Sequence, residues 1–179
     1  MQDSAPTLRV FTFKDGLLAR LAHDLQLTLG RFRIARDGDA VTGTFWPETL
    51  MVDGAVKRGA IDHGALSESD RAKILESMRA DVLHTRAHPE ISFQGQLAVD
   101  GATCKVRGAL TLVGQTKPVE ARLALAGGRI RGEIELVPSR WGIRPFKALA
   151  GAIKMQDRVL VTIDAPWEPG PAGVVERGG

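Results

Sequence analysis

Four histidines, a single cysteine and a late cluster of cations are the residues of this chain with chemistry to offer. His23 is followed by Asp24. An imidazole oriented by a carboxylate is a general base, or a donor to a carbonyl or phosphate oxygen, although the same pair also reads as a polar cap after a short helix. His84 and His88 have the spacing at which two imidazoles share a helix face and hold zinc. Pro89 works against a regular helix through both and no third ligand is evident, so no metal is expected. His63 stands beside Asp62 in a glycine-flanked loop and reads as solvent-facing. Cys104 shares the parity of Val106 and reads as a small buried apolar residue rather than a nucleophile. Arg140, Trp141, Arg144 and Lys147 gather in one connection that could hold an anionic head group. The chain has no G-x-S-x-G, no G-x-x-x-x-G-K-[ST] and no dinucleotide-binding glycine fingerprint.

Composition narrows the classes of function. At 179 residues the chain suits one domain with a core of its own. With 44% hydrophobic and 25% charged residues and no apolar run approaching ~18 residues, it fits neither a disordered chain nor one with an integral membrane segment. One cysteine excludes an internal disulfide. The net charge is +3 and the sequence pI about 9.3, but the 24 cations and 21 anions are interspersed. That pattern, the lack of tyrosine and an aromatic content of 5% argue against nucleic acid as a partner. The start, MQDSAPTLRV, has no basic region followed by an apolar one, so the expected location is cytoplasmic, or periplasmic if a signal has been removed.

The elements that must position these residues are mostly strands. Val106 to Leu125 holds two period-2 arms, Val106, Leu110 and Leu112 against Val119, Ala121, Leu123 and Leu125, around a turn at Gly114 to Lys117. Further strands are expected at Leu8–Lys14, from Leu25 through Phe32 and Ile34, at Val41–Trp46, Leu50–Val56, Ile91–Val99, Ile130–Leu136 and Val159–Ile163. Leu17, Leu18 and Leu21 suggest a short helix, and Phe146 to Leu149 another; residues 57 to 66 read as a loop. The confident long helix begins at Ser67, with Asp70 completing a capping box and Ile74, Leu75, Met78 and Val82 forming its apolar face. Residues 166 to 179 read as a flexible tail and 1 to 165 as the domain. Eight or nine two-faced antiparallel strands without a βαβ rhythm favour closure into a barrel, which removes exposed edges. Gly43, Gly95, Gly108 and Gly132 fall on the apolar parity and either leave space inside or mark bends.

The run from Leu66, in which a helix leads through Pro89, Ile91 and Phe93, and then Gly108, Leu110, Thr111, Leu112, Gly114, Thr116, Lys117, Pro118 and Val119, resembles the YceI-like family of lipid-binding proteins. The likeness covers roughly residues 8 to 165 and is strongest after Ser67; the family's usual N-terminal x-H-S-x-V-x-F-x-V segment is replaced here by FTFKDGLLARLAHDLQL. What the resemblance implies is a mainly all-β, lipocalin-like, closed antiparallel eight-stranded barrel with one amphipathic helix and one or two short helices. Its interior would bind or carry a long isoprenoid lipid, an isoprenoid quinone or a prenyl phosphate, without catalysis and without a cofactor.

On that reading the tunnel wall is Ile91, Phe93, Leu97, Leu110, Leu112, Leu123, Ile134 and Val161, with Gly108 keeping the bore open and Trp141 and Phe146 contributing from the late connection. The same residues also read as plain barrel core. His23, Arg140 and Arg144 are the head-group candidates. The alternative function is a small-ligand enzyme with His23 as general base and Asp24 as orienter. Pairing of two barrels into a homodimer is left open. Gly108→Leu is expected to narrow the channel and reduce binding more than folding.

Overall fold

Alternating apolar and polar residues build most of this chain into strands. The structure, a computed structural model, describes residues 5–15 and 23–178. Its strands are β1 (Thr7–Lys14), β2 (Asp24–Leu29), β3 (Phe32–Asp37), β4 (Ala40–Phe45), β5 (Leu50–Lys57), β6 (Ala60–Asp62), β7 (Ile91–Asp100), β8 (Thr103–Leu112), β9 (Gln115–Ala126), β10 (Arg129–Leu136), β11 (Lys147–Ala148), β12 (Ile153–Pro166) and β13 (Ala172–Arg177), with helix α1 (Glu68–Ser77) between β6 and β7. The helix expected at Leu17 to Leu21 lies outside the described residues.

The strands form one antiparallel sheet of 13 strands, in the order β13-β3-β4-β7-β8-β9-β10-β12-β1-β2-β5-β6, with β11 paired to β12. This corrects the expectation of a closed eight-stranded barrel, since among the described residues no ladder joins β13 to β6. The reason lies at Gly30-Arg31. The stretch from Leu25 to Ile34 runs on with little interruption, but β2 pairs with β1 and β5 whereas β3 pairs with β4 and β13. One length of chain therefore changes neighbours, and it links the two flanks of the sheet covalently rather than by hydrogen bonds. Pro47, at the head of a 3-10 turn, separates β4 from β5 in the same way.

The β8–β9 hairpin forms in the expected register, with Leu110 opposite Lys117, Thr111 opposite Thr116 and Leu112 opposite Gln115. Its turn is tighter than the sequence suggests: Val113 and Gly114 alone turn the chain, both with positive φ, matching the twist of the flanking strands. Pro118 sits inside β9, tolerated because β10 pairs only with Arg122–Ala126 and leaves the start of β9 an edge.

Three other segments differ from expectation. Residues 57 to 66 are not all loop, because Arg58 (φ 52) and Gly59 (φ 80) make a second two-residue turn and fold β6 back onto β5. In place of the helix expected at Phe146 to Leu149 the chain makes β11 and a 3-10 turn, Leu149–Gly151. The segment read as a tail contains β13, whose Val175 and Val174 stand opposite Ile34 and Ala35.

Ser67 caps α1 as expected: its Oγ accepts from Asp70 N at 3.1 Å, and Asp70 Oδ2 accepts from Ser67 N at 3.0 Å. The helix continues as a π-helical stretch, Met78–Val82, and gives way at His84, where φ is 48°. Ile74, Leu75, Met78 and Leu83 pack on a core of Leu8, Leu25, Leu27, Leu29, Phe32, Leu50, Val52, Ala55 and Leu66. Arg71 fastens the helix to the sheet, donating at 2.8 Å from Nη1 to the carbonyls of Val52 and Asp53 and from Nη2 to that of His63. No described helix is long and apolar enough to cross a membrane.

Candidate binding cavity

Side chains on the inward parity of most of the strands face one cavity of about 560 Å³, inside the ~300–1,000 Å³ span usual for ligand sites. Leu8 and Val10 come from β1, Ile34 from β3, Val41 from β4, Ile91, Phe93 and Leu97 from β7, and Leu110 and Leu112 from β8. Val119 and Leu123 come from β9, Ile130 and Ile134 from β10, Val161 and Ile163 from β12, and Val175 from β13. Thus the eight aliphatic and aromatic residues expected in a tunnel wall all line this space.

The three remaining expected wall residues do not line it. Trp141 is 1% exposed, packs with Leu112 and Ile143, and donates from Nε1 to Leu110 O at 3.0 Å. It supports the wall from behind. Phe146 lies in the connection before β11. Gly108 pairs with Gly95 across β7 and β8. A Cβ on Gly108 would stand 2.6 Å from both Gly95 Cα and Phe93 Cζ, and closer still to Gln94 O. The two bare backbones approach each other and form a floor under the Phe93 ring. Phe45 covers Gly43 and Leu123 covers Gly132 in the same manner. The room these glycines leave is occupied by neighbouring side chains, so Gly108→Leu forces the sheet apart and is a folding variant rather than a probe of bore.

The head-group candidates lie elsewhere as well. His23 precedes β2 and does not line the cavity. Its charge adds to the hydrogen bonds from Ser67 that hold the Asp70 carboxyl below the usual range, which places it by the start of α1. Asp24 Oδ1 accepts from Lys14 N at 2.8 Å, and no bond links the pair as base and orienter. Arg140 Nη2 donates to Pro118 O at 3.4 Å, its guanidinium lies 5.5 Å from the Trp141 ring centroid, and it borders a separate surface hollow with Arg107, Glu120 and Glu135. Arg144 is exposed.

The cavity has a cation of its own, and sequence reasoning missed it. Among the described lining residues Arg36 is the sole Lys or Arg. It follows Phe32 and Ile34 on the inward parity of β3, and that phase was the available signal. Its Nη2 donates to Glu168 O at 3.0 Å and its guanidinium lies 4.6 Å from the Trp167 ring centroid. The charge reaches Cys104: burial pushes that thiol up, and the field of Arg36 opposes the rise. No histidine, cysteine, serine or threonine is among the described lining residues. Such a lining can hold hydrocarbon by contact; its charged members are Arg36, Glu133, Glu168 and Glu176.

The sequence profile of the YceI-like domain matches residues 30–166. The chain belongs to the YceI-like domain family. Comparison with curated proteins gave no match. Several solved structures share the fold. Burkholderia cenocepacia BcnA is similar with a TM-score of 0.60 and 12% identity, over 89% of this chain and 94% of that one. A polyisoprenoid binding domain from Saccharophagus degradans, implicated in plant cell wall breakdown, is similar with a TM-score of 0.60 and 11% identity, over 99% and 97% of the two chains. The YceI protein of Campylobacter jejuni gives 0.54 and 10%, over 79% and 84%. In this YceI-like chain the family match stops at Pro166, so Trp167, Glu168 and β13 bound the cavity from beyond it.

Proposed function

We propose that this chain binds a long isoprenoid lipid, an isoprenoid quinone or a prenyl phosphate, inside its curled sheet, and carries it unchanged. The observation that carries the reading is the apolar cavity of about 560 Å³ with Arg36 as its cation. Each methylene moved from water into such a wall contributes about 0.8 kcal/mol, so a branched hydrocarbon is held without directional bonds. One further observation supports it: a structure of the same fold is a polyisoprenoid binding domain. The sheet then works as a container whose flanks are joined covalently through Gly30-Arg31.

Native mass spectrometry after gentle purification tests the reading, with thermal melting in added isoprenoid quinone or prenyl phosphate beside it. The expected results are a co-purified hydrophobic molecule and a Tm that rises with ligand concentration. Leu110→Trp, which fills the cavity, should abolish both while the protein stays folded, at a cost of about 1–3 kcal/mol for overpacking. A persistently empty protein whose Tm neither lipid raises would overturn the proposal.

A further inference from the structure

We propose that Arg36 is the head-group residue of the cavity, that it takes an anionic oxygen head group of the prenyl phosphate kind, and that the C-terminal segment Trp167–Arg177 holds it in position. The inference rests on the reading that the cavity holds an isoprenoid, and it names the polar end of that ligand.

Three observations lead here. First, Arg36 is half-buried and inward, and no carboxylate among the described residues forms an ion pair with it. Of its five N–H donors one reaches a protein acceptor, the Glu168 carbonyl. Glu133, Glu168 and Glu176 also border the cavity; Glu176 pairs with Arg33 at 3.3 Å, while Glu133 and Glu168 are exposed. A half-buried guanidinium with donors to spare gains charge-assisted hydrogen bonds from an anionic ligand oxygen.

Second, Arg36 is held where a head group would be met. From β12 the chain crosses the rim, Trp167 N donating to Gly128 O and Gly38 N to Pro171 O, and then descends as β13 beside β3. Trp167 covers one face of the guanidinium. Gly173 stands opposite Arg36 in the ladder.

Third, the one lining cation lies at one end. Pro6, Pro166, Trp167 and Glu168 border the cavity beside Arg36, whereas the helix end is walled by Leu29, Leu50 and Phe45. A lipid entering tail-first from this end would leave its head group beside Arg36.

The test compares two lipids with one hydrocarbon chain, geranylgeranyl monophosphate and geranylgeraniol, by calorimetric titration of the full chain, wild type and Arg36→Gln, Arg36→Lys and Trp167→Ala. The wild type should bind the phosphate about tenfold or more tightly than the alcohol. Arg36→Gln should erase that preference and leave the alcohol's Kd unchanged, with Arg36→Lys restoring part of it. Trp167→Ala should weaken the phosphate more than the alcohol. If the wild type binds both lipids equally, or Arg36→Gln weakens both alike, the head-group assignment is wrong while the isoprenoid reading stands. If neither lipid binds the wild type, the isoprenoid reading itself fails.

Discussion

The two ends of the interior are built differently. At the helix end Leu27 and Ala55 are wholly buried, Phe32 is 1% exposed, and α1 is locked on by three hydrogen bonds from a single arginine. At the rim end the cover is a crossing segment of half-buried and exposed residues, fastened by Arg36, by two backbone bonds and by β13, whose outward Val174 is 54% exposed. Local stability follows buried apolar contact and protected hydrogen bonds, so the first end carries the fold and the second is the one that opens at low cost. A container for a water-insoluble ligand needs both properties, and here they are separated along the axis of the cavity.

The largest effect should come from cutting into the helix end. Leu27→Ala leaves a cavity in a fully buried site and should cost about 2–5 kcal/mol. Trp167→Ala removes a larger side chain from the rim end yet should cost less than Leu27→Ala, because Trp167 is only half-buried whereas Leu27 is wholly buried. Urea unfolding of the two variants measures the contrast directly. Equal losses would break it. Next in size is Arg71→Met, which keeps the stem of the side chain but strips three carbonyls of their donor; it should cost about 2 kcal/mol and raise hydrogen exchange in α1 before it does so in β8 and β9.

The helix end was largely legible in the sequence and the rim end was not. Ser67 with Asp70, then the apolar spacing of Ile74, Leu75 and Met78, are local signals, and they announce the helix without knowledge of the fold. Strand parity likewise picks out the wall, because a period of two says which face a residue takes. It does not say what that face meets. Gly108 was read as open bore, yet its partner Gly95 and the Phe93 ring fill the space, a fact that depends on a strand pairing. Trp141 carries the same composition signal whether it lines a cavity or braces a wall. The change of neighbours at Gly30-Arg31 leaves only a slip of phase, from Leu25, Leu27 and Leu29 to Phe32 and Ile34, which is easily read as one strand running on. Val174-Val175 is too short, and too close to glycine and proline, to announce β13. Arg36 was passed over because a cation on an apolar parity looks like an interruption, when among the described lining residues it is the cavity's one cation.

The smallest expected effect concerns the ionic support of the rim. Asp164 stands three residues before Trp167, hydrogen-bonded by Arg129 and, at 3.1 Å, by Arg131. Burial pushes its carboxyl up, but the two guanidinium groups together outweigh burial and hold it below the usual carboxylate range. A depressed value in the fold means that the ionised form is the one folding favours. Its contribution is therefore present above the ordinary carboxylate pKa, about 3.9, and is lost as pH falls through the lower folded value. The site is partly open to solvent, so the contribution is modest. Asp164→Asn should lower Tm slightly at pH 7, and the gap to the wild type should shrink as the pH is brought below about 4. A gap that stays constant across this range would mean that Asp164 acts through packing alone, and that the rim end owes nothing to charge.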